Sequence, residues 1–141
     1  MRFWDTSAIV PLCVAEPASS EVRGILEHDP VLVVWWATRT EVLSALARRA
    51  REERRAALAR DQARDALEAL VGVWSEVTPG ERVRETAERL LRVHPLRAGD
   101  AFQLAAATVW ARGRPRHHSF VAYGDRLRRA AAAEGFDVLP R

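Results

Sequence analysis

Arg2-Phe3-Trp4-Asp5-Thr6-Ser7 sets two large aromatic residues directly before an acid and two hydroxyls. This order predicts a short buried strand that ends in a carboxylate and runs straight into a helix. An acid at such a junction stands where open α/β sheets place their ligands, in the crevice beyond the carboxyl ends of the strands. Three later stretches repeat the device: Thr40-Glu41, Gly99-Asp100 and Gly124-Asp125.

The elements around these junctions can be read outward from the first. Val31-Leu32-Val33-Val34-Trp35-Trp36 is continuously apolar, β-branched and aromatic, which predicts a strand buried on both faces, as in a parallel sheet. Further strands are predicted within Val71–Val77, over Ser119–Tyr123 and over Phe136–Leu139. The first helix runs from Ser7 to about Ala15, with Pro11 placed in its first turn and Pro17 beyond its end. A second covers Ser19–His28. A long amphipathic helix follows from Thr38 to about Arg55, turning Val42, Leu43, Leu46 and Ala50 inward. Arg48, Arg49, Arg51, Arg54 and Arg55 crowd its far end, where positive charge suits the helix dipole. Ala56–Leu70 completes a helical hairpin. Glu81–Val93 carries Val83, Ala87, Leu90 and Leu91 inward and is stopped by His94-Pro95. Ala101–Arg112 is apolar nearly all round, so it belongs at the centre. Arg126–Glu134 is the last helix, capped by Gly135. Strands and helices in this alternation predict an α/β fold, a parallel sheet with helices on both faces, in a single domain over residues 1–141.

Bulk properties agree with one domain. The chain has 141 residues, 48% of them apolar, enough for a sizeable core. No run approaches the roughly 18 consecutive apolar residues of a membrane span, and Asp5 interrupts any apolar region that could serve as a signal peptide. The single Cys13 cannot form an internal disulfide, which points to a reducing cytoplasm; it reads as a small buried hydrophobe. The formal net charge is +3 and the pI about 10.3. Every basic residue is arginine, whose planar fork favours phosphate.

Each of the four acids also fits a purely structural role. Asp5, Asp100 and Asp125 stand before helices, where Asp is a favoured N-cap. Asp100 with Gln103, and Thr38 with Glu41, have capping-box spacing. Capping, however, needs only an oxygen, and all four junctions use a carboxylate. In a parallel sheet every strand ends on the same edge, so these acids become neighbours. Clustered carboxylates repel and raise each other's pKa; a divalent ion removes the conflict. All-oxygen ligands suit Mg²⁺ or Mn²⁺, not zinc, and such ions activate water against a phosphodiester with no nucleophilic side chain.

The motifs resemble those of the PIN-domain family. Phe3-Trp4-Asp5-Thr6-Ser7-Ala8-Ile9-Val10 is similar to its opening, and Thr40-Glu41-Val42-Leu43-Ser44-Ala45-Leu46 to its second acidic motif. Leu96-Arg97-Ala98-Gly99-Asp100-Ala101-Phe102-Gln103-Leu104-Ala105 resembles the third. Phe120-Val121-Ala122-Tyr123-Gly124-Asp125-Arg126-Leu127, running on to Leu139, resembles the fourth. In length and simplicity the chain resembles the VapC toxins of bacterial toxin–antitoxin pairs. The resemblance implies a Rossmann-like fold with strand order 3-2-1-4-5 and an Mg²⁺- or Mn²⁺-dependent endoribonuclease leaving 5′-phosphate and 3′-hydroxyl ends. It makes Asp5, Glu41 and Asp100 the core metal ligands, with Asp125 completing the site directly or through water, and gives Thr6 or Ser7 a supporting role beside the first acid. It also implies a homodimer and a cognate VapB-like antitoxin whose C-terminal tail blocks the pocket. One residue departs from the family pattern: two positions before the fourth acid, where Thr or Ser is usual, stands Tyr123.

Other features carry less. His117-His118 has no partner at metal-ligand spacing, and Trp35, Trp36 and Trp110 read as core. Arg48, Arg49 and Arg51, or Arg112, Arg114 and Arg116, could guide an RNA backbone. A phosphoacceptor domain of receiver or haloacid-dehalogenase type would need a lysine, and the chain has none. A DNA-acting nuclease of the same superfamily and a non-cleaving RNA- or partner-binding module are the remaining alternatives.

Overall fold

The computed structural model describes residues 1–52 and 57–141. In chain order its elements are β1 (Arg2–Trp4), α1 (Thr6–Cys13), α2 (Ser19–His28), β2 (Leu32–Trp35), α3 (Thr38–Glu52), α4 (Ala57–Val71), β3 (Ser75–Val77), α5 (Glu81–Val93), α6 (Ala98–Trp110), β4 (Ser119–Val121), α7 (Asp125–Glu134) and β5 (Asp137–Leu139). Arg54, Arg55 and Ala56, at the expected turn of the helical hairpin, lie outside the described residues. The five strands form one parallel sheet in the order β3-β2-β1-β4-β5, the order the family resemblance implies.

Alternation along the strands divides the core in two. On β1, Phe3 and Trp4 are both fully buried but point to opposite faces. Phe3 joins Val33, Trp35 and Phe120 under α5, α6 and α7. Trp4 joins Leu32, Val34 and Val121 under α1 to α4. Phe3 stacks on Phe120 with ring centroids 5.5 Å apart, and Trp35 stacks on Phe102 of α6 at 5.9 Å. A sheet covered on both faces explains why β2 is apolar at every position. Among the described residues no helix is long and apolar enough to cross a membrane.

Polar contacts pin the outer elements. Arg128 of α7 donates to the carbonyls of Ala122, Leu139 and Pro140, tying the carboxyl ends of β4 and β5 together. Glu134, at the end of α7, accepts two bonds from Arg89 at 3.1 and 2.6 Å and faces His94 at 2.8 Å, so the residue that stops α5 also fastens it to α7. Arg89 above all, with His94, holds the Glu134 carboxyl below its ordinary pKa. Gly135 ends α7 at φ +102°, in the left-handed region.

Several sequence expectations need correction. Pro11 lies beyond the first turn of α1, inside the helix, where it cannot donate to the Ser7 carbonyl four residues back, and α1 ends at Cys13, short of Ala15. Leu91 is 44% exposed, because the inward face of α5 is formed by Val83, Ala87 and Leu90, and Leu91 lies beside it. Trp36 is 55% exposed: β2 ends at Trp35, and the next side chain lies beyond the covered part of the strand.

Because Phe3 is fully buried between two aromatic neighbours, Phe3→Ala is expected to cost about 3–5 kcal/mol. Urea denaturation checks this; a cost below about 1 kcal/mol would contradict the central place given to β1.

Candidate functional site

The carboxyl edge of the sheet opens into a cleft of about 840 Å³, lined by residues from three stretches of the chain. Asp5, Thr6 and Ser7 come from the β1–α1 junction, Glu41 from the first turn of α3, and Gly99, Asp100 and Gln103 from α6. Three of the four acids singled out in the sequence therefore share one wall. The fourth, Asp125, is exposed at the first position of α7 and does not line this cleft. It follows β4, which pairs with β1, so it stands on the same edge of the sheet.

Asp5 is 7% exposed. Its backbone amide extends the sheet by donating to Val121 at 2.9 Å, which holds it beside β4. It is the N-cap of α1: Oδ2 accepts from the Ser7 amide at 2.9 Å and from Ser7 Oγ at 2.5 Å. Ser7 Oγ in turn accepts from the Tyr123 amide at 3.0 Å. The Tyr123 side chain turns away, donating to Glu21 at 2.7 Å, so at this position the backbone supplies the contact.

Burial lifts the Asp5 pKa from 3.8 to about 6. The two Ser7 bonds oppose that rise, and repulsion from Glu41 and Asp100 adds to it. The mutual repulsion expected of the cluster is thus present, but loss of water around Asp5 is the larger effect.

Glu41 and Asp100 do not act as helix caps. Glu41 Oε2 accepts from Thr6 Oγ1 and from Gln103 Nε2, the latter at 2.8 Å, so its carboxylate faces the cleft and not its own helix. Thr38, its expected capping-box partner, is fully buried and accepts from Gln103 Nε2 at 3.2 Å. Asp100 lies one residue inside Gly99 in the first turn of α6, whose N-cap is Arg97, and Gln103 reaches across to α1 and α3 instead of back to Asp100.

Two lining residues escape a reading by motif. Glu16, in the loop after α1, is paired with Arg49 at 2.5 Å and carries no pattern that marks it. Gln103 is 2% exposed; the available signal is a lone amide in a helix apolar nearly all round. Arg48, Arg49 and Arg97 also line the cleft. Arg112, Arg114 and Arg116 instead precede β4, at the opposite edge of the sheet. His118 packs edge-on against Trp110, ring centroids 4.9 Å apart. Cys13 is buried, which pushes its thiol up to about 11 and keeps it inert.

The donors facing the cleft are oxygens of carboxylates and hydroxyls, a set that suits Mg²⁺ or Mn²⁺. Magnesium binds through one or two carboxylates and keeps several waters; among the described residues no three His, Cys, Asp or Glu side chains form a group that could hold one ion between them.

The raised pKa has a consequence for stability. Asp5 binds its proton more tightly folded than unfolded, so its carboxylate destabilises the metal-free fold above pH 6, by roughly 3 kcal/mol. The penalty fades as pH falls through 6 and is gone near pH 4. Asn keeps the N-cap without the charge. In EDTA, Asp5→Asn should therefore melt above the wild type at pH 7.5, with the gap closing towards pH 4; a mutant that melts lower at pH 7.5 would contradict the buried-charge account.

Comparison with known proteins gives a family and a fold. The model of the PIN domain matches residues 2–133. Among solved structures, a toxin–antitoxin complex from Klebsiella pneumoniae is similar, with a TM-score of 0.68 over 99% of this chain and 97% of that one. The two are 17% identical in sequence, and the likeness speaks for the fold alone. No curated protein matches the chain in sequence. A parallel sheet in the order 3-2-1-4-5, acids from separate stretches gathered at its carboxyl edge, and a family match over nearly the whole length lead to one statement: the chain belongs to the PIN-domain family.

Proposed function

We propose that this PIN-domain chain is a Mg²⁺- or Mn²⁺-dependent endoribonuclease and the toxin of a VapC-like toxin–antitoxin pair, working in the cytoplasm as one domain over residues 1–141. The observation that carries the proposal is the convergence of Asp5, Glu41 and Asp100, from β1, α3 and α6, on the wall of one cleft. Family membership supports a nuclease, and likeness to a chain of a toxin–antitoxin complex supports an antitoxin partner.

In this reading Asp5 and one of Glu41 and Asp100 hold the ion directly, the other of the two acts through water, and Asp125 contributes from the neighbouring strand end, directly or through water. Once bound there, the ion supplies a polarised phosphoryl oxygen and a water of lowered pKa. The protein does the positioning. Ser7 holds one oxygen of Asp5, and both hydrogen bonds fall on Oδ2; among the described residues none falls on Oδ1. Thr6 does the same for Glu41 Oε2. Arg48 and Arg97 border the acids and attract the RNA backbone, setting a phosphate over the carboxylates.

The antitoxin has a second landing place. A groove of about 430 Å³ between α3 and α4 is lined by Leu43, Leu46, Ala47, Ala50 and Ala63. Arg49 lines both this groove and the acidic cleft. An apolar tail lying in the groove would pass Arg49 and enter the cleft, blocking it. A homodimer completes the proposed assembly.

Two experiments test the reading. RNA ends sequenced after induced expression should carry 5′-phosphate at the cut, and Asp5→Asn or Glu41→Gln should slow cleavage in vitro at least about 100-fold, the scale of several kcal/mol of lost charge stabilisation. EDTA should abolish cleavage and Mn²⁺ restore it. Cleavage undiminished in excess EDTA would overturn the mechanism, and equal cutting of single-stranded DNA would move the assignment to a DNA-acting nuclease. For the rim, Arg97→Ala should raise KM for RNA and lower the slope of log KM against log salt by about 1; an unchanged slope would remove Arg97 from the RNA path.

A further inference from the structure

Gln103 is the one polar interruption in the buried face of α6, and it is 2% exposed. Its amide nitrogen donates to Glu41 Oε2 at 2.8 Å, to Thr6 Oγ1 at 2.9 Å and, more weakly, to Thr38 Oγ1 at 3.2 Å. These partners lie on α3 and α1, so a single side chain joins all three helices that border the acids. Its own Oε1 is buried and accepts no hydrogen bond from the described residues. Turning the amide over would place Oε1 against the Glu41 carboxylate, an acceptor facing an acceptor, so the neighbours assign the orientation. The arrangement leaves an acceptor unsatisfied in order to keep a donor on Glu41.

The kind of donor matters. In the same cleft Glu16 is bound by Arg49, which cancels its charge. Glu41 is bound by a hydroxyl and an amide, and Asp5 by a hydroxyl and a backbone amide, all of them neutral. Neutral donors fix a carboxylate in place and leave its negative charge available to a cation, whereas a guanidinium would compete with one.

We propose that Gln103 is a positioning residue of the acidic cleft: its amide holds Glu41 Oε2 and the Thr6 hydroxyl, presenting Glu41 to a divalent cation with its charge intact. This rests on the metal-dependent reading of the cleft given above.

The test is calorimetric titration of the folded, metal-free chain with Mn²⁺ for the wild type, Gln103→Met, Gln103→Asn and Asp5→Asn. Met has similar length and no N–H; Asn keeps the amide but falls short of Glu41. Both Gln103 variants are expected to bind Mn²⁺ about 10–100-fold more weakly, and in cleavage assays to lower kcat with KM for RNA unchanged. Should Gln103→Met fail to fold, Gln103→Asn decides. If a folded Gln103 variant binds Mn²⁺ as tightly as the wild type while Asp5→Asn does not, Gln103 is only structural and this inference falls alone. If the wild type binds no Mn²⁺, or Asp5→Asn binds it equally well, the carboxylate site itself fails and the inference falls with it.

Discussion

Burying a carboxylate at the end of a central strand is the constraint to which the rest of this molecule answers. β1 lies between β2 and β4, and the Asp5 amide is used up in the ladder to Val121. The side chain is therefore delivered to a place walled by α1 and reached by Glu41 and Asp100, where water is scarce and the charged form is disfavoured. Ser7 offsets part of that cost through two hydrogen bonds to one oxygen. A carboxylate whose ionisation is made costly by burial is one that a bound cation would stabilise, because an ion restores what desolvation removes.

The same logic explains why the site draws on so much of the fold. Asp5, Glu41 and Asp100 sit on three different elements, each anchored in a different part of the core: β1 through Phe3 and Trp4, α3 through Val42, and α6 through Ala101 and Leu104. Gln103, Thr6 and Thr38 then lock these elements to one another at the level of the acids. Geometry built on packed helices and a strand end is held more tightly than geometry built on loops. Arg48 and Arg97 line the same cleft as the acids, so positive and negative side chains share its surface.

Much of this is legible in the residues. Unbroken apolar runs such as Val31–Trp36 identify strands buried on both faces, and α2 and α5 have the bounds their hydrophobic spacing predicts. The strand order is not legible from periodicity, since pattern says which face is buried and not which strand lies next; it comes from the four motifs taken together. The expectations that fail do so for physical reasons. Asp before an apolar helix satisfies the local rules for a cap, yet Arg97 is the N-cap and α6 begins a turn earlier than Asp100 suggests. Trp36 belongs to the same apolar run as Trp35, but β2 ends at Trp35, and Trp36 lies beyond the covered part of the strand. Spacing pairs Gln103 with Asp100, whereas its true partners lie 62 to 97 positions away in sequence. Long-range polar contacts leave no local trace; only the oddity of an amide in an apolar helix hints at them.

The most direct test of the account is a crystal structure determined from protein grown with Mn²⁺, with data collected to reveal anomalous scattering from the metal. The account predicts a peak in the cleft within bonding distance of Asp5 and of at least one of Glu41 and Asp100, with waters filling the remaining positions. A cleft without a peak, or manganese bound only at surface acids such as Asp61 and Asp65 on α4, would contradict it.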